Sequence, residues 1–401
     1  MGLFLVRNMY EILGQKRKIS WEREKAWYKD ADVDTDYYLS NLVSKKPKFN
    51  EIDANRCLDI HTKIAALKVA PSVVALVSYL GEKETIEGAG TIVESNDGRC
   101  IVLTSANIIR RPTTKEFVEN NLIDDMKIRV YSRDGSSYDG ELVAYDFHFN
   151  LAAISFYSES PLPVARLAVL DDCLNVSLPS FELRTHSRSY NLSPGDDVVA
   201  VGRYFCKPFE LMAAPGAYWL DRCEYDCKEL LKATSFITRC GDGGPLVNHS
   251  GEVIGIIYYD FDSTPFMPIR IALKWWEHYK TFGKHCRPSL GIEATNFYTA
   301  DLDIIERVNK LFPSVCNGVL VEKVIEGFSA DLAGLRVEDV IVECGGKNVR
   351  SFLEFFDIIW DKAGDTVNLV VVRQGNVQPV HLTMLVEDTG PSGINRWPSR
   401  T

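Results

Sequence analysis

The run Cys240-Gly241-Asp242-Gly243-Gly244-Pro245-Leu246 sets a thiol and a carboxylate two residues apart inside a frame of glycines. Glycine supplies the φ > 0 conformations of a tight turn and lets another chain approach the backbone closely. Cys240 is a nucleophile by residue type when its thiolate is stabilised. Asp242 brings negative charge to the same turn and opposes any further negative charge that builds up beside it. A nucleophile also needs a base, most often histidine. Of the seven histidines, His148 lies two residues before Asn150, a spacing that puts both on one face of a strand; a satisfied or solvated ring is the preferred reading. His249 sits in Asn248-His249-Ser250-Gly251, which reads as a hairpin turn with the ring in solvent.

The run resembles the GNSGGPL loop of chymotrypsin-type serine proteases, with Asp242 at the serine position. In that family the loop N–H groups line the oxyanion hole, and Cys240 falls at the glycine of the hole, out of register for a nucleophile. Two further segments follow the same pattern. Gly88-Ala89-Gly90-Thr91-Ile92-Val93 and Ile101-Val102-Leu103-Thr104-Ser105-Ala106-Asn107 resemble the strands leading to TxAHxV, with Asn107 at the histidine position. Phe149-Asn150-Leu151-Ala152-Ala153-Ile154 resembles DLAxLxV, with Asn150 at the aspartate position. The resemblance therefore implies the catalytic fold with none of the three catalytic side chains. An amide cannot take and return a proton near neutral pH, and Asn150 cannot stabilise an imidazolium as a carboxylate does.

At 401 residues the chain exceeds what one core usually holds, so two domains plus extensions are expected. A net charge of −10 argues against nucleic-acid binding, which is driven by basic surface. No run reaches the length of a membrane span. The apolar run at Met1 to Val6 is too short for a secretory signal, and Val6 departs from the myristoylation pattern that Gly2 invites. An intracellular location, cytoplasmic or nuclear, follows as the default expectation. The ten cysteines are scattered, and Cys223 and Cys227 alone do not make a zinc site. Reduced, structural thiols are expected, with no metal and no cofactor.

Residues 1–58, rich in charge and aromatics, read as an extension of helix and loop. From Val69 onward short β-type runs alternate with turn residues, the pattern of an all-β barrel or sandwich, and residues 59–285 are assigned to a trypsin-like domain. Asp221 to Thr234 reads as a loop or short helix of it. Arg270 to Lys280 has helical spacing and ends near Gly283.

A different module occupies residues 286–388, followed by a tail at 389–401. Gly318-Val319-Leu320-Val321, Ala333-Gly334-Leu335, Asp339-Val340-Ile341 and Gly364-Asp365-Thr366-Val367 resemble a bacterial-type PDZ domain, with Glu338 where that family usually has glycine. Barrels followed by Arg287-Pro288-Ser289-Leu290-Gly291-Ile292 and a PDZ domain resemble the Deg/HtrA family, closest to the plant Do-like group. The overall expectation is mostly β: a trypsin-like double β-barrel and a carboxy-terminal α+β PDZ domain. The resemblance implies that Ser289, Leu290, Gly291 and Ile292 receive a chain-terminal carboxylate while the ligand adds as a strand. Phe352, Phe355, Phe356 and Ile359 come from the helix flanking that groove, with a core role preferred for each. It also implies polypeptide or protein C-terminal partners and trimers formed through the barrels, with itself or with Deg-like relatives. Three functions compete: a catalytically silent scaffold, a serine-type endopeptidase of protein quality control using other residues, and a chaperone-like holdase.

Overall fold

The computed structural model describes residues 55, 58–111, 120–172, 189–219, 223, 225–260, 263–389 and 394–398. The expected extension at 1–58 lies outside the described residues except for Asn55 and Leu58. The first helix, α1 (Ile60–Val69), starts where the Asp59 carboxylate accepts from the N–H groups of His61 and Thr62, the standard way to satisfy orphan donors at a helix start.

Six antiparallel strands close the first barrel: β1 (Val73–Leu80), β2 (Lys83–Asn96), β3 (Arg99–Ser105), β4 (Met126–Tyr131), β5 (Ser137–Asp146) and β6 (Leu151–Tyr157), in the order β1-β2-β3-β6-β5-β4. Closure leaves no edge strand to protect, and β-branched and aliphatic residues such as Val74, Leu76, Ile92, Val102, Val130 and Ile154 fill its core. A short parallel pair, β7 (Val169–Asp171) with β8 (Ser189–Asn191), precedes the second barrel. That barrel runs β10-β11-β14-β13-β12-β9, built from β9 (Asp197–Arg203), β10 (Leu211–Trp219), β11 (Leu231–Ala233), β12 (Pro245–Val247), β13 (Val253–Ile257) and β14 (Thr264–Pro268). The segment expected as loop or short helix thus supplies a barrel strand, β11, which pairs Leu231 with Phe266 and Lys232 with Trp219. Three residues are too few to show a period, so pairing on both sides makes the strand.

Helix α2 (Ile269–Phe282) follows, as its spacing predicts, and stops at Gly283 with φ 64° and its N–H on the Tyr279 carbonyl. The carboxy-terminal module holds β15 (Pro288–Ser289), β16 (Ile292–Asn296), α3 (Leu302–Leu311), β17 (Val319–Val324), α4 (Ser329–Leu332), β18 (Val340–Cys344), β19 (Lys347–Asn348), α5 (Phe352–Trp360), β20 (Thr366–Val372), β21 (Val380–Leu385) and β22 (Glu387–Asp388). Its sheet runs β16-β17-β18-β20-β21, so β16 is an edge strand, and β15 pairs separately with β22. Glu338 adopts φ 68°. Its position is left-handed, which is why glycine is usual there, and Arg307 pairs with the Glu338 carboxylate at 3.1 Å.

Specific contacts join this module to the barrels. Arg287 forks onto the fully buried Asp146 carboxylate of the first barrel at 2.8 and 3.1 Å. Arg270 of α2 reaches Asp357 of α5 at 2.7 Å, and Lys274 reaches Asp361 at 2.8 Å. Phe149 stacks on Trp360 at 5.9 Å and meets Phe356 edge-on at 6.4 Å. Phe355, Phe356 and Ile359 are buried, as the core reading expected, while Phe352 is half-buried.

Candidate functional site

The loop Cys240–Gly244 lies in the seam between the two barrels. A Cβ on Gly243 would sit 2.2 Å from Thr104 Oγ1 and 2.6 Å from the Ala89 carbonyl oxygen, both of the first barrel. With φ 79° as well, the position admits only glycine. Residues Arg239–Gly241 wind into a 3-10 turn, and this turn uses up the N–H groups of the loop. Cys240 N donates to Thr238 Oγ1 at 3.3 Å, Gly241 N to the Thr238 carbonyl at 2.9 Å and Asp242 N to the Arg239 carbonyl at 3.1 Å. Gly243 N donates to Ile257 and Gly244 N to Gly241, both at 2.8 Å. Each of the five donors is committed to an acceptor in the loop, in Thr238–Arg239 just before it or in β13, so the N–H groups of this turn do not converge on a free anion site.

Asp242 is 2% exposed and ties three elements together. Its carbonyl accepts from Ala89 N of β2 at 2.7 Å, its N–H closes the 3-10 turn, and its carboxylate accepts from Tyr259 N beyond β13 at 2.9 Å. The Asp242 carboxylate therefore works as a staple from the loop to the chain that follows β13.

Asn107 and Asn150 meet through an intermediary. Asn107 lies in the 3-10 turn Ala106–Ile109, and its N–H donates to Ser105 Oγ at 3.2 Å. Asn150 Nδ2 donates to the same hydroxyl at 3.3 Å. Asn150 is fully buried at φ 54°, a left-handed conformation that asparagine tolerates better than most residues, and its Oδ1 has no hydrogen-bond partner among the described residues. The Asn107 Oδ1 accepts from Arg110 Nη1 at 2.9 Å. Arg110 is 2% exposed, its guanidinium lies 4.6 Å over the Phe147 ring, and burial lowers it to about 9. A cation held there also opposes a second positive charge, such as an imidazolium, at position 107.

His148 is not on a strand. Residues 147–150 form the turn between β5 and β6, so His148 and Asn150 share no strand face; the ring packs edge-on against Phe149 at 4.7 Å. His249 sits on the Asn248–Gly251 turn as expected, half-exposed and 3.4 Å from Asp197. Cys240 is buried at 7% exposure. Burial, with Glu229 nearby, pushes the Cys227 thiol well up, the opposite of what a reactive thiolate needs.

In the carboxy-terminal module, Gly291 turns at φ 72° and its N–H donates to Ser289 Oγ at 3.2 Å. The Leu290 carbonyl accepts from Ala330 N at 3.2 Å, and the Gly291 carbonyl from Ile325 N at 2.8 Å. Ile292 opens edge strand β16, whose outer edge pairs with no strand among the described residues. The barrels touch both ends of this strand. Lys228 pairs with Glu293 at 3.6 Å. At the far end the buried Asp172 carboxylate accepts from Asn296 Nδ2 at 2.7 Å and from Leu353 N at 3.3 Å. Burial raises the Asp172 carboxyl, while Ser351 and Asn296 draw it back. Neither Asp172 nor Ser105, Arg110 and Tyr259 stands out in the sequence, since each acts through contacts distant along the chain.

The chain matches the trypsin-like peptidase domain over residues 88–256 and the PDZ domain over residues 288–384. It is 30% identical to the Arabidopsis thaliana "Putative protease Do-like 14", with 82% of this chain and 71% of that protein aligned. It is 28% identical to Serine protease HTRA1 of Xenopus tropicalis over 79% of this chain, spanning 65% of that relative. The solved structure "HtrA-type protease AlgW with tripeptide" superposes with a TM-score of 0.52 at 21% identity, covering 82% of this chain and 98% of that one, a likeness of fold. With both domains in the expected order and the relatives aligned across them, the chain belongs to the Deg/HtrA family of trypsin-like proteases that carry a PDZ domain.

Proposed function

We propose that this family member holds polypeptides without cutting them and acts as a binding or regulatory scaffold through its PDZ domain. One observation carries the reading: the three positions that supply a base, its orienting carboxylate and a nucleophile are Asn107, Asn150 and Asp242. Neither amide can cycle a proton, and Asp242 places a carboxylate where attack would start, held by Tyr259 N at 2.9 Å. Peptide capture uses the edge of β16, with a terminal carboxylate at Ser289–Ile292. The ligand must then compete with the Asp172 and Lys228 contacts at the ends of that strand. Assembly as trimers through the barrels, with itself or with Deg-like relatives, belongs to the same proposal, and a holdase would use the same surfaces.

Purified full-length protein incubated with an unfolded protein substrate and with a fluorophosphonate probe is expected to give neither turnover nor labelling. Turnover that disappeared in Cys240→Ala or His148→Ala would return the chain to the endopeptidases. Peptides with free carboxyl ends are expected to bind more tightly than their amidated forms; equal affinity would count against carboxylate capture.

A further inference from the structure

Beside the degenerate site, the turn Phe147–Asn150 presents three consecutive backbone carbonyls, each taken by a side chain from elsewhere. Tyr258 of the second barrel donates its hydroxyl to the Phe149 carbonyl at 2.9 Å. The other two donors come from the segment 394–398, beyond the PDZ domain. Asn395 Nδ2 donates to the His148 carbonyl at 3.0 Å, and Trp397 Nε1 to the Phe147 carbonyl at 2.8 Å. Side chains two residues apart thus read successive carbonyls, the spacing an extended peptide provides.

The same segment grips the second barrel. The Trp397 indole is 2% exposed and packs on Tyr258 at 5.2 Å and Tyr225 at 5.6 Å. Arg396 donates its backbone N–H at 3.0 Å and its guanidinium at 2.8 and 3.1 Å to the Asp226 carboxylate. Ile394 packs on the core cluster of the first barrel. An aromatic anchor in a closed pocket, flanked by a forked arginine–carboxylate pair, is the make-up of a binding hot spot.

We propose that the groove between the Phe147–Asn150 turn and the Tyr225–Asp226–Tyr258 face is a peptide-binding site, distinct from the PDZ groove, whose resident occupant is this chain's own 394–398 segment. Seated there, the segment clamps the turn that carries Asn150 to the second barrel. Released, it leaves a site that accepts an aromatic side chain preceded by arginine. The assignment is independent of whether the protein cuts or only holds its polypeptides.

The test uses the full chain carrying Trp397→Ala and a labelled synthetic peptide of residues 390–401. Hydrogen exchange at residues 145–150 and 225–228 is expected to speed up in the variant. The variant is expected to bind the peptide saturably, at least about tenfold more tightly than the same peptide with alanine in place of Trp397. Unchanged exchange, or equal binding of the two peptides, would overturn the proposal. Should Trp397→Ala fail to fold, Asp226→Arg alone is expected to lose the protection and Asp226→Arg with Arg396→Asp to regain it; absence of rescue counts against the clamp. Protection that grows with protein concentration would place the segment in another copy and overturn the intramolecular assignment. Peptidase activity would sink the scaffold reading and leave these exchange results as they are.

Discussion

The inter-barrel loop and the PDZ edge strand are both built on a tight glycine, yet they treat their backbone donors in opposite ways. In Cys240–Gly244 every N–H is spent inside the protein, and the Asp242 carboxylate is spent as well. Strand β16 keeps an outer edge with no strand partner among the described residues, and contacts from Lys228 and Asp172 hold it at Glu293 and Asn296. Backbone groups that are satisfied internally have little left to offer a ligand, whereas an unpaired strand edge is a template for one. The first region is organised for rigidity and the second for capture.

Substitution of the two glycines breaks that comparison most sharply. Gly243→Ala forces a Cβ against the Ala89 carbonyl and Ser105 N, backbone atoms of a closed barrel, at φ 79°. A loss of about 4 kcal/mol is expected in urea unfolding. Gly291→Ala meets the Phe328 side chain instead, on a residue 38% exposed, and is expected to cost about 2 kcal/mol while abolishing peptide binding. Equal stability losses would mean that the PDZ loop is as locked as the barrel loop.

The next effect concerns the link between the regions. Arg287→Ala leaves the fully buried Asp146 carboxylate with the His148 N–H but without its guanidinium partner, and a loss of about 3 kcal/mol is expected, read from the thermal midpoint. Peptide affinity of the PDZ groove should hold within a few fold if the pair serves only to dock the domains.

A smaller change sharpens the role of Asp242. Asp242→Asn keeps an acceptor for Tyr259 N but removes its charge, and is expected to cost about 1 kcal/mol without creating peptidase activity. A gain in stability would show that the carboxylate is a strained relic and not a staple.

The last prediction is a pH dependence close to the loop. Burial, then the charge of Glu84, pushes the Glu87 carboxyl from 4.5 up to about 7, against the pull of Arg239. Between those values the folded chain holds a proton that the unfolded chain has lost, so this residue's effect on stability worsens as pH rises through the window. Glu87→Gln is expected to flatten that slope, so that the variant gains on the parent as pH rises from about 4 to about 8. Parallel stability curves for the two proteins would refute it.

Local pattern carried much of the fold. Helix α2 showed its period and its stop at Gly283, and the barrels showed their short apolar runs. Strand β11 and the turn at His148 were misread because each is defined by partners far along the chain, which no short window contains. Resemblance to the protease motifs singled out Asn107, Asn150 and Asp242, but their bonding was out of reach of sequence: Ser105 Oγ accepts from the Asn107 backbone N–H and from Asn150 Nδ2, Arg110 caps Asn107 and the Tyr259 N–H donates to Asp242.

The sequence by itself determined which residue types stand at Asn107, Asn150 and Asp242, and residue type fixes whether a given group can cycle a proton. Through motifs that resemble those of known families it also carried the order of two barrels and a PDZ domain, because such motifs are local properties. Only the tertiary structure decided that the loop is closed on itself, that Asp172 and Phe149 reach the PDZ module, and that Trp397 fills a groove at the seam. Hydrogen-bond satisfaction and burial are properties of groups brought together by closure of the chain, and closure is what the linear sequence does not display.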